Sequence, residues 1–429
     1  MDKIFHRLEN LHPKIIDLKL ERVEQLLNKL GNPQDHLPPV IHVAGTNGKG
    51  STIAMISSAL QKNGFLLHVY TSPHLVNFSE RIQIAGKEIS QTYLEELLLE
   101  CEEKNNSSPI TFFEITTCAA LLAFSRSKAD FTILEVGLGG EYDATNVIKN
   151  PLLSIITPIS IDHREYLGKS IEKITESKAG IIKKNTPTIL GKQIPRVEVI
   201  LRLRCREVGS QAISENQNFY FSKKEKKIIY RNKDESLTFP LPNLIGFHQI
   251  TNAMTAITAL LTLKISKKNI CNGISSAYWP ARLEKINYGK LNKIIKSYNL
   301  SNELWLDGGH NADASRVLSI SIASMSTLDL HIIYGSLKNK DYTTFLLNIK
   351  ELSTSLWAIK IKNQPSSLTV EAIVSKAKEI GYLEPRKIGS IAEGLNKICS
   401  QSNSSVRPIR ILICGSLYLA GQVLKENSY

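Results

Sequence analysis

Gly45-Thr46-Asn47-Gly48-Lys49-Gly50-Ser51 combines the residue types that cradle a phosphate. Glycines let backbone N–H groups approach an anion, Lys49 can reach terminal phosphates, and Ser51 or Thr52 can meet a metal ion. The match to the usual phosphate loop is imperfect. Val43 stands where the first glycine belongs, and Gly50 separates Lys49 from Ser51. Glu135 is a second chemical feature. It ends the apolar run Phe131 to Glu135, and V-G-L-G-G follows. A carboxylate at a strand end, opposite a loop hydroxyl, is where nucleotide-binding α/β proteins hold magnesium. Asp162-His163 and Thr71-Ser72-Pro73-His74 close two further apolar runs. Ser72 there reads as a metal or phosphate contact, or more simply as a Ser-Pro turn. Thr111-Phe112-Phe113-Glu114 sets two aromatics beside a carboxylate, suited to a flat heterocycle or to plain packing. Asn252 opens a helix and can donate to a base or phosphate, or cap. Lys178, in I-T-E-S-K-A-G-I-I, falls on a predicted helix over 170–184, where a lysine is ordinarily a solvated charge.

The elements around these residues follow from hydrophobic patterning. Val40, Ile41 and Val43 predict a buried parallel strand before the glycine turn, and Ile53, Ile56 and Leu60 recur at helical spacing after it. Phe65 to Tyr70 and Leu152 to Ile161 predict further strands. In parallel α/β sheets, ligands bind beyond the strands' carboxyl ends. An amphipathic helix is predicted within 15–30, with Leu20, Val23, Leu27 and Leu30 on one face and Asp17-Leu18-Lys19 as its lead-in. Residues 202–239 predict an antiparallel excursion beside the main sheet. Trp279 to Glu284 marks a break. Strands at 304–306, 330–334, 356–361 and 410–414 then alternate with helices and predict a second, smaller α/β domain. Their ends are polar or glycine-rich: Asp307-Gly308-Gly309-His310-Asn311, Gly335-Ser336 and Gly415-Ser416.

A chain of 429 residues, 42% hydrophobic and 22% charged, is of soluble globular type and suggests roughly two or three domains. The net charge of +13 suits anionic partners, but no aromatic-basic interleaving points to nucleic acid. Six scattered cysteines without a C-x-x-C pair fit a reducing compartment. Neither an N-terminal apolar signal core nor a bilayer-spanning run is visible, so the expectation is cytoplasmic.

Taken together, V-A-G-T-N-G-K-G-S, T-S-P-H-L, L-E-V-G-L-G-G-x-x-D-A-T-N, I-D-H-x-x-x-L-G, S-K-A-G-I, G-x-H-Q-x-x-N-A, W-P-A-R-L-E, D-G-G-H-N and G-S-L-Y resemble the bifunctional folylpolyglutamate/dihydrofolate synthases, a branch of the Mur ligase superfamily. The resemblance runs from about Asp17 to Leu419. It implies a P-loop-containing, mostly parallel α/β domain over 1–281 and a smaller Rossmann-like, glutamate-ligase α/β domain over 282–429. It also implies ATP, two magnesium sites, a possible monovalent cation, and the substrates dihydropteroate or folate and L-glutamate, in a monomer that binds neither nucleic acid nor membrane. Thr46, Asn47, Gly48, Lys49, Gly50 and Ser51 would bind phosphates. Asn252, Arg282 and Asp307 would contact ATP, and Ser72, Glu135 and His163 would hold magnesium. Lys178 would carry a carbamate. His310 and Ser416 would lie near the incoming glutamate. Asp17, Leu18, Lys19, Thr111, Phe112, Phe113, Glu114, Tyr142, Asp143 and Ala144 would hold the pterin.

The sequence departs from the family's pattern at four places. Glu141-Tyr142 replaces the usual Arg-Leu, Lys19 a common glycine, and Gly309 the usual alanine; the link from Ile286 to Glu303 is long. The alternatives are another Mur-type amide ligase and a phosphate-loop ATPase switch without ligase chemistry. The first is disfavoured because the loop begins at Gly45, with no sugar-nucleotide-binding domain before it.

Overall fold

Stretches with apolar residues on both faces, such as V-I-H-V-A and F-T-I-L-E, can be buried on both faces only in a covered sheet. The computed structural model describes residues 2–14, 16–325, 327–402 and 406–428. The chain divides into two units, Met1–Asn243 with Ile250–Tyr278, and Leu244–Gln249 with Trp279–Tyr429.

The first unit is built on strands β1 (Val40–Ala44), β2 (Leu67–Tyr70), β3 (Ile82–Ile84), β4 (Lys87–Glu88), β5 (Phe131–Glu135), β6 (Leu153–Ile156), β7 (Thr188–Leu190) and β8 (Ala212–Ser214). Their order is β4-β3-β2-β5-β1-β6-β7-β8. The pairs from β2 through β8 are parallel, and β3 and β4 are antiparallel additions at one edge. Register does the positioning. Val43 lies opposite Glu135 and Ala44 opposite Ile156, while Tyr70 lies opposite Leu134. The glycine loop, Ser72, Glu135 and the turn after β6 therefore emerge at one edge, where β1 is flanked by strands reached in opposite directions.

The helix Phe112–Ser125 is apolar almost all round and buried from Glu114 to Phe124. Such a helix is held by burial rather than by an amphipathic stripe. Its neighbours in the core include Leu26, Leu27, Leu97, Leu98 and Tyr70. A second cluster, with Ile156, Ile174, Ile182, Leu190 and Leu201, fills another part of the unit. At roughly 1.5–3 kcal/mol per buried large aliphatic side chain, these clusters fix the strand ends far more strongly than any one loop contact.

Several predicted boundaries move. The helix placed within 15–30 is Glu21–Lys29, and Ile15 lies outside the described residues. The strand over 152–161 stops at Ile156, because Pro158 has no N–H for a ladder. Residues 195–208 are helical, and Ala212–Ser214 joins the main sheet. The antiparallel excursion is confined to a separate sheet of β9 (Tyr220–Lys224), β10 (Lys227–Arg231) and β11 (Ser236–Pro240).

The second unit carries β12 (Glu284–Lys285), β13 (Glu303–Leu306), β14 (Asp329–Tyr334), β15 (Ser355–Ala358), β16 (Arg386–Lys387) and β17 (Ile409–Cys414) in the order β12-β13-β17-β14-β15-β16. All pairs but β12–β13 are parallel. The long link after Ile286 folds as a helix, Lys290–Tyr298. Asn427 fastens it, accepting from Leu291 N at 3.0 Å and donating to Tyr288 O at 2.9 Å. Among the described residues no helix is long and apolar enough to cross a membrane.

Candidate active site

The helix Lys49–Lys62 starts at Gly48, whose φ is +87°, and Gly45 has φ +145°. A Cβ would lie 1.9 Å from Thr157 Oγ1 at Gly45 and 2.3 Å from Asn252 Oδ1 at Gly48. Only glycine fits at either point, and Asn252 is thereby placed against the loop. A segment the sequence did not signal, 157–160, braces it. Pro158 O accepts from Thr46 N (3.0 Å) and Asn47 N (3.2 Å). Thr46 Oγ1 donates to Ser160 O (3.0 Å) and accepts from Ser160 N (3.1 Å), while Asn47 Nδ2 donates to Ser160 Oγ (3.1 Å). Gln193 Oε1 supports the brace from Ile159 N at 3.0 Å. The Thr46 and Asn47 side chains thus shape the loop. The first-turn N–H groups of the helix have no intrahelical acceptor, so they are donors that an anion could use. A Gly48→Ala variant is expected to weaken nucleotide binding at least tenfold, about 1.4 kcal/mol, in a titration by calorimetry, because its Cβ displaces Asn252.

Two lysines meet behind this loop. Lys49 Nζ donates to Gly45 O at 3.2 Å and Lys178 Nζ to the same oxygen at 3.0 Å. Lys178 is 5% exposed, at the end of the helix Ile171–Ala179, so the expectation of a solvated surface lysine fails. Burial, and then the Lys49 cation, push its pKa down to about 7. Glu135 is 4% exposed; it lies 3.8 Å from Lys49 Nζ and accepts from Ser72 N at 3.2 Å. His163 takes φ +50° as the residue before the short helix Arg164–Leu167, and its N–H donates to Asp162 Oδ1 at 2.8 Å. Among the described residues no three His, Cys, Asp or Glu side chains gather as a metal cage. One buried carboxylate beside a serine suits magnesium, which keeps waters and takes phosphate oxygens rather than a full protein cage.

The loop after Glu135 is folded by Asp143. This carboxylate is 2% exposed and accepts from Leu138 N (2.8 Å), Thr145 N (3.0 Å) and Thr145 Oγ1 (2.6 Å). Since the Thr145 hydroxyl donates to Asp143, it accepts from His42 Nε2 at 2.8 Å, which fixes the His42 tautomer. Burial holds the His42 pKa at about 3, so the ring stays neutral. Asp143 is therefore a loop organiser as well as a predicted substrate residue. Ala144 is buried in the core beside it, and Tyr142 is 49% exposed.

The four residues at 111–114 separate in the same way. Thr111 and Glu114 form a capping box, Glu114 N donating to Thr111 Oγ1 (3.3 Å) and Thr111 N to Glu114 Oε2 (2.8 Å). Phe112 joins an aromatic cluster with Phe5 and Phe78, ring centroids 5.5 and 5.7 Å away. Phe113 turns to the loop after Glu135: a Cβ on Gly137 would lie 2.5 Å from its ring. Asp17 is bound to Arg22, a residue within no sequence motif; Leu18 packs against the cluster that includes Leu167 and Ile174, and Lys19 is exposed.

In the second unit, Asp307 is 7% exposed and accepts from Leu283 N (2.8 Å) and Gly309 N (2.7 Å). Arg282 lies between two non-glycine residues of positive φ, Ala281 at 56° and Leu283 at 47°, an arrangement that stores backbone strain. Asp307 and Glu284, which accepts from Ala281 N at 2.9 Å, hold that strain. Arg282 Nη1 lies against Gly308. His310 Nδ1 is 3.2 Å from Gly308 O. Ser416 is 3% exposed and caps the helix Leu417–Asn427, accepting from Tyr418 N at 3.1 Å. Arg282, Asp307 and His310 are thus neighbours along one strand end, and Ser416 follows a strand that pairs with it.

Residues 43–260 match the Mur ligase middle domain family. The chain is 33% identical over 368 residues to the dihydrofolate synthase/folylpolyglutamate synthase of Bacillus subtilis, covering 79% of this chain and 80% of that protein. It is 30% identical over 420 residues to the folylpolyglutamate synthase of Lacticaseibacillus casei, covering 94% and 92%. Its structure resembles that of E. coli FolC in complex with DHPP and ADP, with a TM-score of 0.86, 29% identity, and coverage of 99% of this chain and 96% of that one.

Proposed function

Because the chain belongs to the folylpolyglutamate/dihydrofolate synthase family of Mur ligases, we infer that it is an ATP-dependent ligase that adds L-glutamate to 7,8-dihydropteroate and to reduced folates. The observation that carries this reading is the meeting of Lys49, Glu135 and Lys178 at the glycine loop. A carboxylate oxygen of the acceptor attacks the γ-phosphorus of ATP, and the bond from that phosphorus to the bridging oxygen breaks toward ADP. The amine of glutamate then attacks the acyl-phosphate carbon, phosphate leaves with the C–O electron pair, and the amine's proton goes to solvent or a nearby base.

The chain's own residues position and neutralise. Lys49 offsets charge on the transferring phosphoryl group, and the helix N-terminus and loop N–H groups hold the neighbouring phosphates. Phe113, whose ring lies over Gly137, two residues after Glu135, offers a flat face to the acceptor's ring system. Ser72, Glu135 and His163 would hold magnesium, whose bound form neutralises phosphate charge. In the second unit Arg282 and Asp307 would contact ATP, and His310 and Ser416 would guide glutamate. A cytoplasmic monomer built on domains 1–281 and 282–429 completes the proposal.

The test is phosphate release from ATP and magnesium with L-glutamate, comparing dihydropteroate with tetrahydrofolate. Glutamate-dependent turnover with both is the expected result. Turnover with dihydropteroate alone would restrict the acceptor, and the exposed Glu141-Tyr142 pair becomes the place to look. Turnover with neither overturns the reading in favour of another amide ligase.

A further inference from the structure

The most heavily engaged arginine beside the site is one that no motif singled out. Arg22 lies on the second position of the helix Glu21–Lys29. Its guanidinium makes four hydrogen bonds. Nε donates to Glu114 Oε2 (3.0 Å) and Nη2 to Glu114 Oε1 (2.7 Å), a two-pronged pair. Nη1 donates to Asp17 Oδ2 (2.8 Å) and Nη2 to Asp17 O (2.8 Å). The Arg22 side chain is 16% exposed and that of Glu114 5% exposed. His12 and Lys14 approach Asp17 only at 3.7 Å.

One side chain therefore ties together two segments distant in the chain, one 5 residues before it and one 92 residues after it. The first is irregular: residues 16–19 have no secondary structure of their own, and Arg22 grips both the side chain and the backbone of Asp17. The second is the start of the helix Phe112–Ser125, where Glu114 closes the cap. Phe113, next to Glu114, lays its ring on Gly137, two residues after Glu135. The orientation of that ring is set by the first turn of its helix, and the first turn is anchored by Glu114.

We propose that Arg22 is a positioning residue of the acceptor subsite: by locking Asp17 to Glu114, it fixes the 17–19 segment and the Phe113 face between which the flat end of the acceptor is held. The proposal rests on the ligase reading. Lysine cannot replace Arg22, because a single ammonium lacks the planar fork that serves both carboxylates at once. Loss of Arg22 also leaves the buried Glu114 carboxylate without its counter-charge, so the first turn shifts.

The experiment compares the wild-type enzyme with Arg22→Lys, Arg22→Gln and Glu114→Gln. It measures binding of dihydropteroate by pterin fluorescence in the presence of ADP and magnesium, the KM values for dihydropteroate, ATP and glutamate, and the thermal midpoint. A displacement on the scale of an ångström lowers the fit of a bound group by about tenfold to a hundredfold. Arg22→Lys and Arg22→Gln are therefore expected to raise the dihydropteroate Kd and KM at least tenfold, with the KM for ATP within about twofold of wild type. Adding Glu114→Gln to Arg22→Gln should add little to the Arg22→Gln loss, because the Arg22–Glu114 pair is already broken. A folded Arg22→Lys enzyme with wild-type dihydropteroate binding overturns the proposal. So does a parallel rise in the KM for ATP, which marks a general structural role. If the wild-type protein binds dihydropteroate but does not turn it over, the ligase reading fails and the Kd comparison still decides the role of Arg22. A wild-type protein that binds no pterin overturns both.

Discussion

Lys49→Ala is expected to lower glutamate-dependent ADP formation by about a thousandfold, the loss typical of removing one preorganised charge or donor from the place where negative charge develops. The amine is held ready: it sits on the first residue of its helix, 3.2 Å from Gly45 O and 3.8 Å from Glu135. The charge it supplies is needed in the transition state more than in the bound substrate, so kcat should fall much more than the KM for ATP rises. The fold should survive, since the side chain is at the loop rather than in the hydrophobic clusters around Phe124 and Ile174. Arginine at this position keeps the charge but brings a larger, planar group into a space bounded by Gly45 O and Glu135, so Lys49→Arg should recover only a small part of the activity. Rapid-quench measurement of ADP, with circular dichroism to check folding, decides the matter. Near-normal turnover in Lys49→Ala would remove the lysine from the reaction and with it the placement of the phosphoryl group at this loop.

What the sequence could reveal was governed by whether a residue's role is written in its neighbours. The strands at 40–44 and 131–135 were legible because short runs with apolar residues on both faces fit a buried strand, and Glu135 was legible because it ends such a run. The ends of elements were not. Leu152 to Ile161 looked continuous, but Pro158 turns the chain into the brace that holds Thr46 and Asn47. Arg22 was invisible because its partners lie 5 and 92 residues away, and a lone arginine on the polar face of an amphipathic helix carries no local signal. The block at 111–114 reads locally as either packing or a heterocycle site; the structure divides it into a cap (Thr111, Glu114), an aromatic packed on the core (Phe112) and one ring over Gly137 (Phe113). Lys178 was the sharpest reversal of the local reading. Helical periodicity could not show that its face of the helix meets the loop after β1, where the same carbonyl receives both lysines.

That reversal makes Lys178→Ala the second large prediction. An amine buried behind the phosphate loop, with its pKa at about 7, is half neutral near physiological pH, and only the neutral amine attacks carbon dioxide. In that step the nitrogen lone pair forms the N–C bond, one C=O pair moves onto oxygen, and the amine releases a proton, leaving a carbamate. The buried group thereby changes from a cation repelled by Lys49 to an anion attracted by it. Lys178→Ala is expected to lose about a hundredfold to a thousandfold in kcat, and acetate or formate at high concentration should restore roughly tenfold by filling the vacated space with a carboxylate. Preparing the wild-type enzyme in carbon-dioxide-free buffer below pH 7 should lower its activity, and bicarbonate at higher pH should restore it, because protonation removes the nucleophile. Stability provides an independent reading. The folded-state pKa lies below the ordinary 10.5, so the unfolded chain binds more protons between about 7 and 10.5. Across that window wild-type stability should rise with pH relative to Lys178→Met in carbon-dioxide-free denaturant titrations. If carboxylates give no rescue and bicarbonate leaves the wild-type enzyme unchanged, Lys178 acts through its hydrogen bond to Gly45 O as a brace of the loop. The large loss in Lys178→Ala would then appear in the KM for ATP rather than in kcat.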